Sequence, residues 1–285
     1  MKQILDYIYK YGKMIKFSHT IFAMPFALAS VLIVSREYDF TFMKLLWIIT
    51  AMIGARSAAM GFNRLIDKNI DAKNERTKDR ELPTGEISVL NTIIFITIFS
   101  ALFIFSAWML NDLCYYLSYP TLLLVFFYSF SKRFTTYSHY ILGLAIGIAP
   151  AGGWFAISGE FSLMPIFLTL TLLTYIAGFD ILYSCQDEEF DRENLLHSIP
   201  EKYGRTKALK ISRYTHMVTF LLLILSGLVY DLSTGYYYGV LIMGSLLFLE
   251  HYLVKNDDLS KLKFSFLYVN SAVSIMFFVS VLMGV

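Results

Sequence analysis

An all-α membrane protein of about nine transmembrane helices is what this 285-residue chain predicts, and three observations carry that expectation. Its composition is 56% hydrophobic and only 16% charged, whereas ordinary soluble domains carry about 25% charged residues. Apolar runs long enough to cross a bilayer recur along the whole length. Lysines and arginines gather in alternate connections instead of spreading evenly.

A transmembrane helix needs about 20 mainly apolar residues. Nine segments meet that need, at 18–35, 44–62, 89–109, 114–130, 140–158, 162–183, 214–230, 236–254 and 265–284. Helices are the only sensible choice for them, because lipid offers backbone groups no outside partner. The first run follows Lys2, Lys10, Lys13 and Lys16 like the start of a signal peptide, but eight more runs follow, so it reads as a retained signal-anchor. A short amphipathic segment at 1–17 precedes a single polytopic domain spanning 1–285.

Short cytoplasmic connections are enriched in lysine and arginine. One side of the membrane collects Lys2, Lys10, Lys13, Lys16, the basic residues from Lys68 to Arg80, Lys132, Arg133 and those between Arg192 and Lys263. The other side holds Arg36 and Lys44. The N-terminus is therefore expected in the cytoplasm, with the chain in the cell's inner (plasma) membrane and the lipid bilayer as its solvent. Two long cytoplasmic connections, roughly 64–88 and 184–213, are where function is expected. A net charge of +2 is too small, and the apolar excess too large, to suggest a nucleic-acid partner held by phosphate contacts. Cys114 and Cys185 are too few for a disulfide framework or an all-cysteine metal site.

At the cytoplasmic end of the second span, Arg56, Asn63, Asp67 and Asp71 follow one another at spacings of 7, 4 and 4. At about 100° per residue they share one helix face. The sixth span repeats the register with Asp180, Tyr183, Asp187 and Asp191, predicting a second acidic face, while Glu188 and Glu189 point elsewhere. Clustered carboxylates repel one another unless a cation binds between them. Oxygen ligands without histidine or cysteine favour magnesium or calcium. Magnesium prefers one or two carboxylates plus substrate phosphates, so a diphosphate is the natural third party.

Glu75, Asp79, Glu193 and Glu201 read instead as solvated acids balanced by nearby lysines. Arg56 and Asp180 lie deeper, where a charge normally faces a functional cavity, although they could also simply pair with each other. Gly143 and Gly147, followed by Pro150, Gly152 and Gly153, suit close helix packing and a kink. His139 and His197 lack metal-ligand spacing and read as loop residues.

These residues resemble the UbiA-type intramembrane prenyltransferases over nearly the whole chain. The likeness rests on KFSHTIFAMPFAL (16–28), ARSAAMGFNRLIDKNIDAKNERTKDRELPTGEIS (55–88), YSFSKRFT (128–135) and GFDILYSCQDEEFDRENLLHSIPEKYG (178–204). The resemblance implies nine helices around a central cavity, a polyprenyl diphosphate held by two magnesium ions, and transfer of the prenyl group to an aromatic ring. By matching position it makes Asn63, Asp67, Asp71, Asp187 and Asp191 the magnesium-diphosphate residues. It puts Arg64 and Arg133 where the family has basic residues near diphosphate or acceptor. The stretches FDILYSCQDEEFD and LLHSIP are most similar to the branch assigned to menaquinone synthesis through futalosine. There the acceptor would be a dihydroxynaphthoate instead of a 4-hydroxybenzoate-type acid.

The implied chemistry is ionisation of an allylic diphosphate, attack by the ring carbon beside a phenolic hydroxyl, and loss of the ring proton to a base. Asp180 is the expected base or acceptor-orienting group, with released diphosphate as the alternative. A secondary transporter would need its site near the midplane, not at the cytoplasmic rim. A CDP-alcohol phosphotransferase, another magnesium-dependent intramembrane transferase, would show an Asp-Gly-x2-Ala-Arg type signature, which this sequence lacks.

Overall fold

The structure is a computed structural model that describes residues 9–16, 22–254 and 258–285. Lys2, Lys255 and positions 17–21 of the first quoted motif lie outside the described residues. The regular elements are helical throughout. They are α1 (Met24–Val34), α2 (Phe42–Asp71), α3 (Val89–Leu110), α4 (Asp112–Ser131), α5 (Ser138–Gly147), α6 (Ala149–Ser158), α7 (Ile166–Ser184), α8 (Glu188–Glu193), α9 (Ile199–Tyr203), α10 (Arg205–Val229), α11 (Thr234–Leu253) and α12 (Asn270–Gly284). A short turn of helix at 9–14 precedes them.

Each expected span coincides with helix. Seven stretches among the described residues are long and apolar enough to cross a membrane: Phe42–Asp71, Val89–Leu110, Asp112–Ser131, Ser138–Ser158, Ile166–Glu193, Arg205–Val229 and Leu267–Gly284. The other two expected spans fall short for different reasons. Helix α1 has only 11 residues, and α11 is diluted by three tyrosines at its start and by Glu250 and His251 near its end.

The chain forms two compact units, Met1–Thr20 with Leu45–Phe130, and Ile21–Lys44 with Ser131–Val285. In the first unit, small residues let helices touch. A Cβ added at Gly54 would stand 2.9 Å from the backbone nitrogen of Phe103. Phe62 stacks on Phe126 with ring centroids 4.4 Å apart. The turn at 9–14 is docked: Met14 and Ile15 bury against Leu82 and Ile87, and Tyr11 stacks on Phe95 at 5.0 Å. Ser88 starts α3 by accepting the Asn91 N–H, the usual use of serine at a helix N-terminus.

In the second unit, α7 packs against α5 and α10, α1 against α6, and α11 against α12. The α5–α7 seam runs antiparallel. A Cβ at Gly143 would meet the Leu173 carbonyl oxygen at 2.4 Å, and one at Gly147 the Thr169 carbonyl oxygen at 2.9 Å. These glycines thus serve close approach, as expected. The chain bends between α5 and α6 at Ile148, two residues before Pro150. Several polar groups inside this unit are paired internally, as lipid favours. The Tyr175 hydroxyl donates to the Asn270 carbonyl at 2.8 Å, and Glu250 Oε1 accepts from Asn270 Nδ2 at 2.9 Å. Outward-facing apolar side chains such as Leu123, Leu221 and Phe248 are exposed, the surface a multi-pass membrane protein presents to lipid.

Candidate active site: two acidic motifs

The first motif lies on the last turns of α2, which remains helical through Asp71. The predicted single face is therefore real. Asn63 is a relay: its Nδ2 donates to Asp67 Oδ2 at 2.9 Å, and its Oδ1 accepts from Arg64 Nη1 at 3.5 Å. Arg64 is buried and its Nε donates to the Met14 carbonyl at 3.2 Å. Arg56 reaches the Lys16 carbonyl at 3.4 Å. The two arginines thus hold the C-terminal end of the 9–16 segment on the motif.

Asp71 is clamped by Arg80, whose Nη1 donates to both carboxylate oxygens at 2.7 Å. The Thr77 hydroxyl donates to the Asp71 carbonyl at 3.0 Å and folds the following loop back onto the helix end. Lys16 joins this cationic collar. Burial, then the neighbouring charges of Arg64, Arg80 and Arg76, push its pKa down from 10.5 to about 8, against the pull of Asp71. Lys13 shifts the other way, raised by its hydrogen bond to Glu81 at 3.2 Å.

The second motif departs from expectation. Asp180, Tyr183, Asp187 and Asp191 do not share one continuous helix face, because α7 ends at Ser184 and a 3-10 turn, Cys185–Asp187, precedes α8. A 3-10 turn advances about 120° per residue instead of 100°, so the turn rotates the motif out of register with Asp180. Gln186 Nε2 donates to the Tyr183 carbonyl at 2.8 Å, satisfying an acceptor that the helix end leaves open.

Asp187 and Asp191 are nonetheless buried, at 7% and 2% exposure, and Asp191 Oδ2 has no hydrogen-bond partner. Glu188 turns away, as expected, to Arg192 at 3.0 Å and Arg205 at 3.9 Å. Glu189 and Glu193 are exposed. Tyr183 packs on a core that includes Ile181, Leu182 and Ile199. Arg133 is half-buried, next to Lys132, whose carbonyl accepts the His197 N–H at 2.7 Å.

His139 corrects the sequence reading. It is not a loop residue but a fully buried member of α5. Its Nδ1 lies 2.7 Å from Asp180 Oδ2, and its Nε2 accepts the Ile199 backbone N–H at 3.3 Å. His197 is exposed in its connection, as expected, 4.0 Å from Glu201. The sequence reading also missed Arg80, Lys16 and Glu81. Arg80 had a readable signal, an arginine in the short turn-rich loop beyond Asp71, whereas nothing local marks a pairing 41 residues apart such as His139 with Asp180.

Within neither unit do three described His, Cys, Asp or Glu side chains converge on a metal position. Magnesium does not require that, since phosphate oxygens and waters complete its octahedron. The orphaned, buried Asp191 Oδ2 fits an all-oxygen cation site, because a buried carboxylate oxygen left without a donor is costly. Asp71 is by contrast already neutralised by Arg80.

A family profile described as "UbiA prenyltransferase family" matches residues 23–281. A 4-hydroxybenzoate octaprenyltransferase of Vibrio parahaemolyticus is 31% identical over 204 residues, 71% of this chain and 71% of that protein. The mitochondrial 4-hydroxybenzoate polyprenyltransferase of Drosophila melanogaster is 29% identical over 239 residues, 82% of this chain and 60% of that protein. Among solved structures, the apo form of a UbiA homolog from Aeropyrum pernix superposes with a TM-score of 0.86 at 30% identity, covering 93% of this chain and 97% of that one. A UbiA homolog from Archaeoglobus fulgidus bound to GPP and Mg2+ shares the fold, with a TM-score of 0.71 at 18% identity over 95% of this chain and 99% of that one.

Proposed function

The chain belongs to the UbiA prenyltransferase family, and from that premise we propose that it transfers a polyprenyl group from a polyprenyl diphosphate to the ring of an aromatic hydroxy acid in respiratory quinone biosynthesis. The acceptor class is supported by the relatives named for 4-hydroxybenzoate. The resemblance of FDILYSCQDEEFD to the futalosine branch makes a dihydroxynaphthoate the second acceptor to test.

Asn63, Asp67, Asp71, Asp187 and Asp191 would hold magnesium and, through it, the diphosphate, two ions being the number the family resemblance implies. Bound magnesium neutralises the leaving group and the charge that builds on its oxygens. The chain's own cations do the complementary work. Arg64 and Arg80 orient Asn63 and Asp71, and with Arg56, Arg133 and Lys16 they supply positive charge for a polyanion. The allylic C–O bond breaks with its electron pair going to diphosphate. A ring carbon beside the phenolic hydroxyl bonds to the allylic carbon, and the ring proton passes to Asp180. Tyr183 flanks the acceptor. The observation that carries the reading is the buried Asp191 oxygen without a donor, on a motif whose i, i+4 carboxylates repeat those of the first.

The test is purified protein in lipid nanodiscs with labelled polyprenyl diphosphate, magnesium, and either 4-hydroxybenzoate or a dihydroxynaphthoate. Prenylated acid is the expected product, and its absence with both acceptors would sink the reading. Orientation in the inner membrane, with the N-terminus cytoplasmic, is supported by the basic-residue alternation. Glu86→Cys and Glu193→Cys, both at exposed positions, should be labelled from the cytoplasmic face alone.

A further inference from the structure

The His139–Asp180 pair points to a role that neither motif contains. His139 is fully buried and both ring nitrogens are occupied, so its tautomer is fixed by its neighbours. A backbone N–H can only donate; Nε2, facing the Ile199 N–H, must therefore carry the lone pair. Neutral His139 then bears its single proton on Nδ1, aimed at Asp180 Oδ2 2.7 Å away. A carboxylate that receives such a hydrogen bond is held in one rotamer. Asp180 itself is not sealed off, its side chain being 20% exposed.

The other end of His139 is tied just as specifically. Ile199 starts α9, directly after the turn in which the Leu196 N–H donates to the Asp191 carbonyl at 2.9 Å. Leu195, in that turn, has φ 53, a left-handed conformation that leucine rarely adopts. The strain persists because the bonds around it over-determine the turn. One imidazole therefore spans from Asp180 on α7 to the segment that closes behind Asp191.

We propose that His139 is a positioning residue for prenyl transfer: as the Nδ1–H tautomer it orients the Asp180 carboxylate toward the acceptor ring and fixes it relative to the second acidic motif. This rests on the prenyltransferase reading above, in which Asp180 takes the ring proton. The two nitrogens allow a test that separates positioning from mere packing. Asparagine places an amide N–H where Nδ1–H stood, whereas glutamine reaches to the Nε2 position and loses the donor to Asp180.

His139→Asn should keep kcat within about threefold of wild type. His139→Gln should lose about 100-fold in kcat, the cost of a misplaced reacting group, with KM for the polyprenyl diphosphate unchanged. Adding His139→Gln to Asp180→Asn should cost little more than Asp180→Asn alone, because the two act as one unit. If glutamine served as well as histidine, if asparagine failed as badly as glutamine, or if the two losses multiplied, the role would be wrong. A wild-type enzyme that prenylates no acceptor would overturn the function and not the pair. The pair is then read without turnover from 15N-histidine spectra: a protonated Nδ1 on His139 whose proton resonance moves upfield when Asp180→Ala removes its acceptor supports it, and a proton on Nε2, or an Nδ1 proton that Asp180→Ala leaves unmoved, overturns it.

Discussion

The two acidic motifs have the same spacing in sequence and opposite electrostatics in the fold. The first, on unbroken α2, is wrapped in cations: Arg80 takes both oxygens of Asp71, Arg64 backs Asn63, and Lys16 has its pKa pushed down to about 8 by burial and then by the neighbouring arginines. The second is interrupted by a 3-10 turn and keeps one buried Asp191 oxygen, Oδ2, without a hydrogen-bond partner. Equal i, i+4 carboxylates can thus be tuned to different tasks by what surrounds them. In the proposed site the cations beside the first motif would meet the polyanion, and the open Asp191 oxygen of the second would face magnesium.

The largest effect should come from removing the metal. Excess chelator is expected to abolish transfer and magnesium to restore it, because neither unit completes a positive site for the diphosphate through carboxylates alone. Turnover that survives chelation would erase the contrast.

Next in size are the carboxylates. Asp67→Asn and Asp191→Asn should each cost roughly 100- to 1000-fold in kcat, the scale for losing a preorganised charge at a reacting centre, and the double variant should be scarcely worse. Glu193→Gln, on an exposed position, should stay within about twofold. Equal damage from Glu193→Gln would show that the i, i+4 register has been misread.

Arg80→Gln sharpens the comparison. Loss of a charge-assisted clamp on Asp71 should raise KM for polyprenyl diphosphate about 10-fold while the magnesium concentration needed for half-maximal rate moves little. Asp191→Asn, assayed for its residual rate, should show the reverse pattern. Identical patterns for the two would mean that the motifs are not specialised.

The smallest effect is a pH dependence of stability. Lys16 titrates near pH 8 when folded and near 10.5 when unfolded, so between those values the unfolded chain holds more protons and folding becomes more favourable as pH rises. The penalty for burying its charge is fully present below pH 8. Thermal unfolding in detergent should therefore show a gain from pH 8 to 10 in wild type relative to Lys16→Met. A parallel response in both proteins would remove Lys16 from the collar.

What could be read from the sequence follows the range of the forces involved. The Asn63–Asp67–Asp71 face was legible because helix periodicity alone fixes it. The spans were legible because hydropathy sums over many residues, although α1 proved to be only 11 residues long and α11 is diluted by tyrosines and by Glu250 and His251. The break at Cys185–Asp187 was not, since it depends on one side-chain amide, Gln186, serving one carbonyl. His139 could have been suspected from its company: a histidine leading into ILGLAIG is a polar group at the mouth of a membrane helix, and such residues need a partner. Which partner was beyond local pattern, as was the clasp of Arg80 on Asp71.

The glycine seam between α5 and α7 has a mechanical consequence. His139 stands one turn from Gly143 on α5, and Asp180 lies seven residues beyond Leu173 on α7, so the contact that sets the helix separation also sets the length of the His139–Asp180 bond. The seam behaves as a spacer of fixed gauge. A methyl group at 143, which would sit 2.4 Å from a carbonyl oxygen, must wedge the helices apart and stretch that bond from a distance. Residues that never approach a substrate are thereby held to tolerances of a fraction of an ångström, and the lipid-buried packing of this unit becomes part of its chemistry.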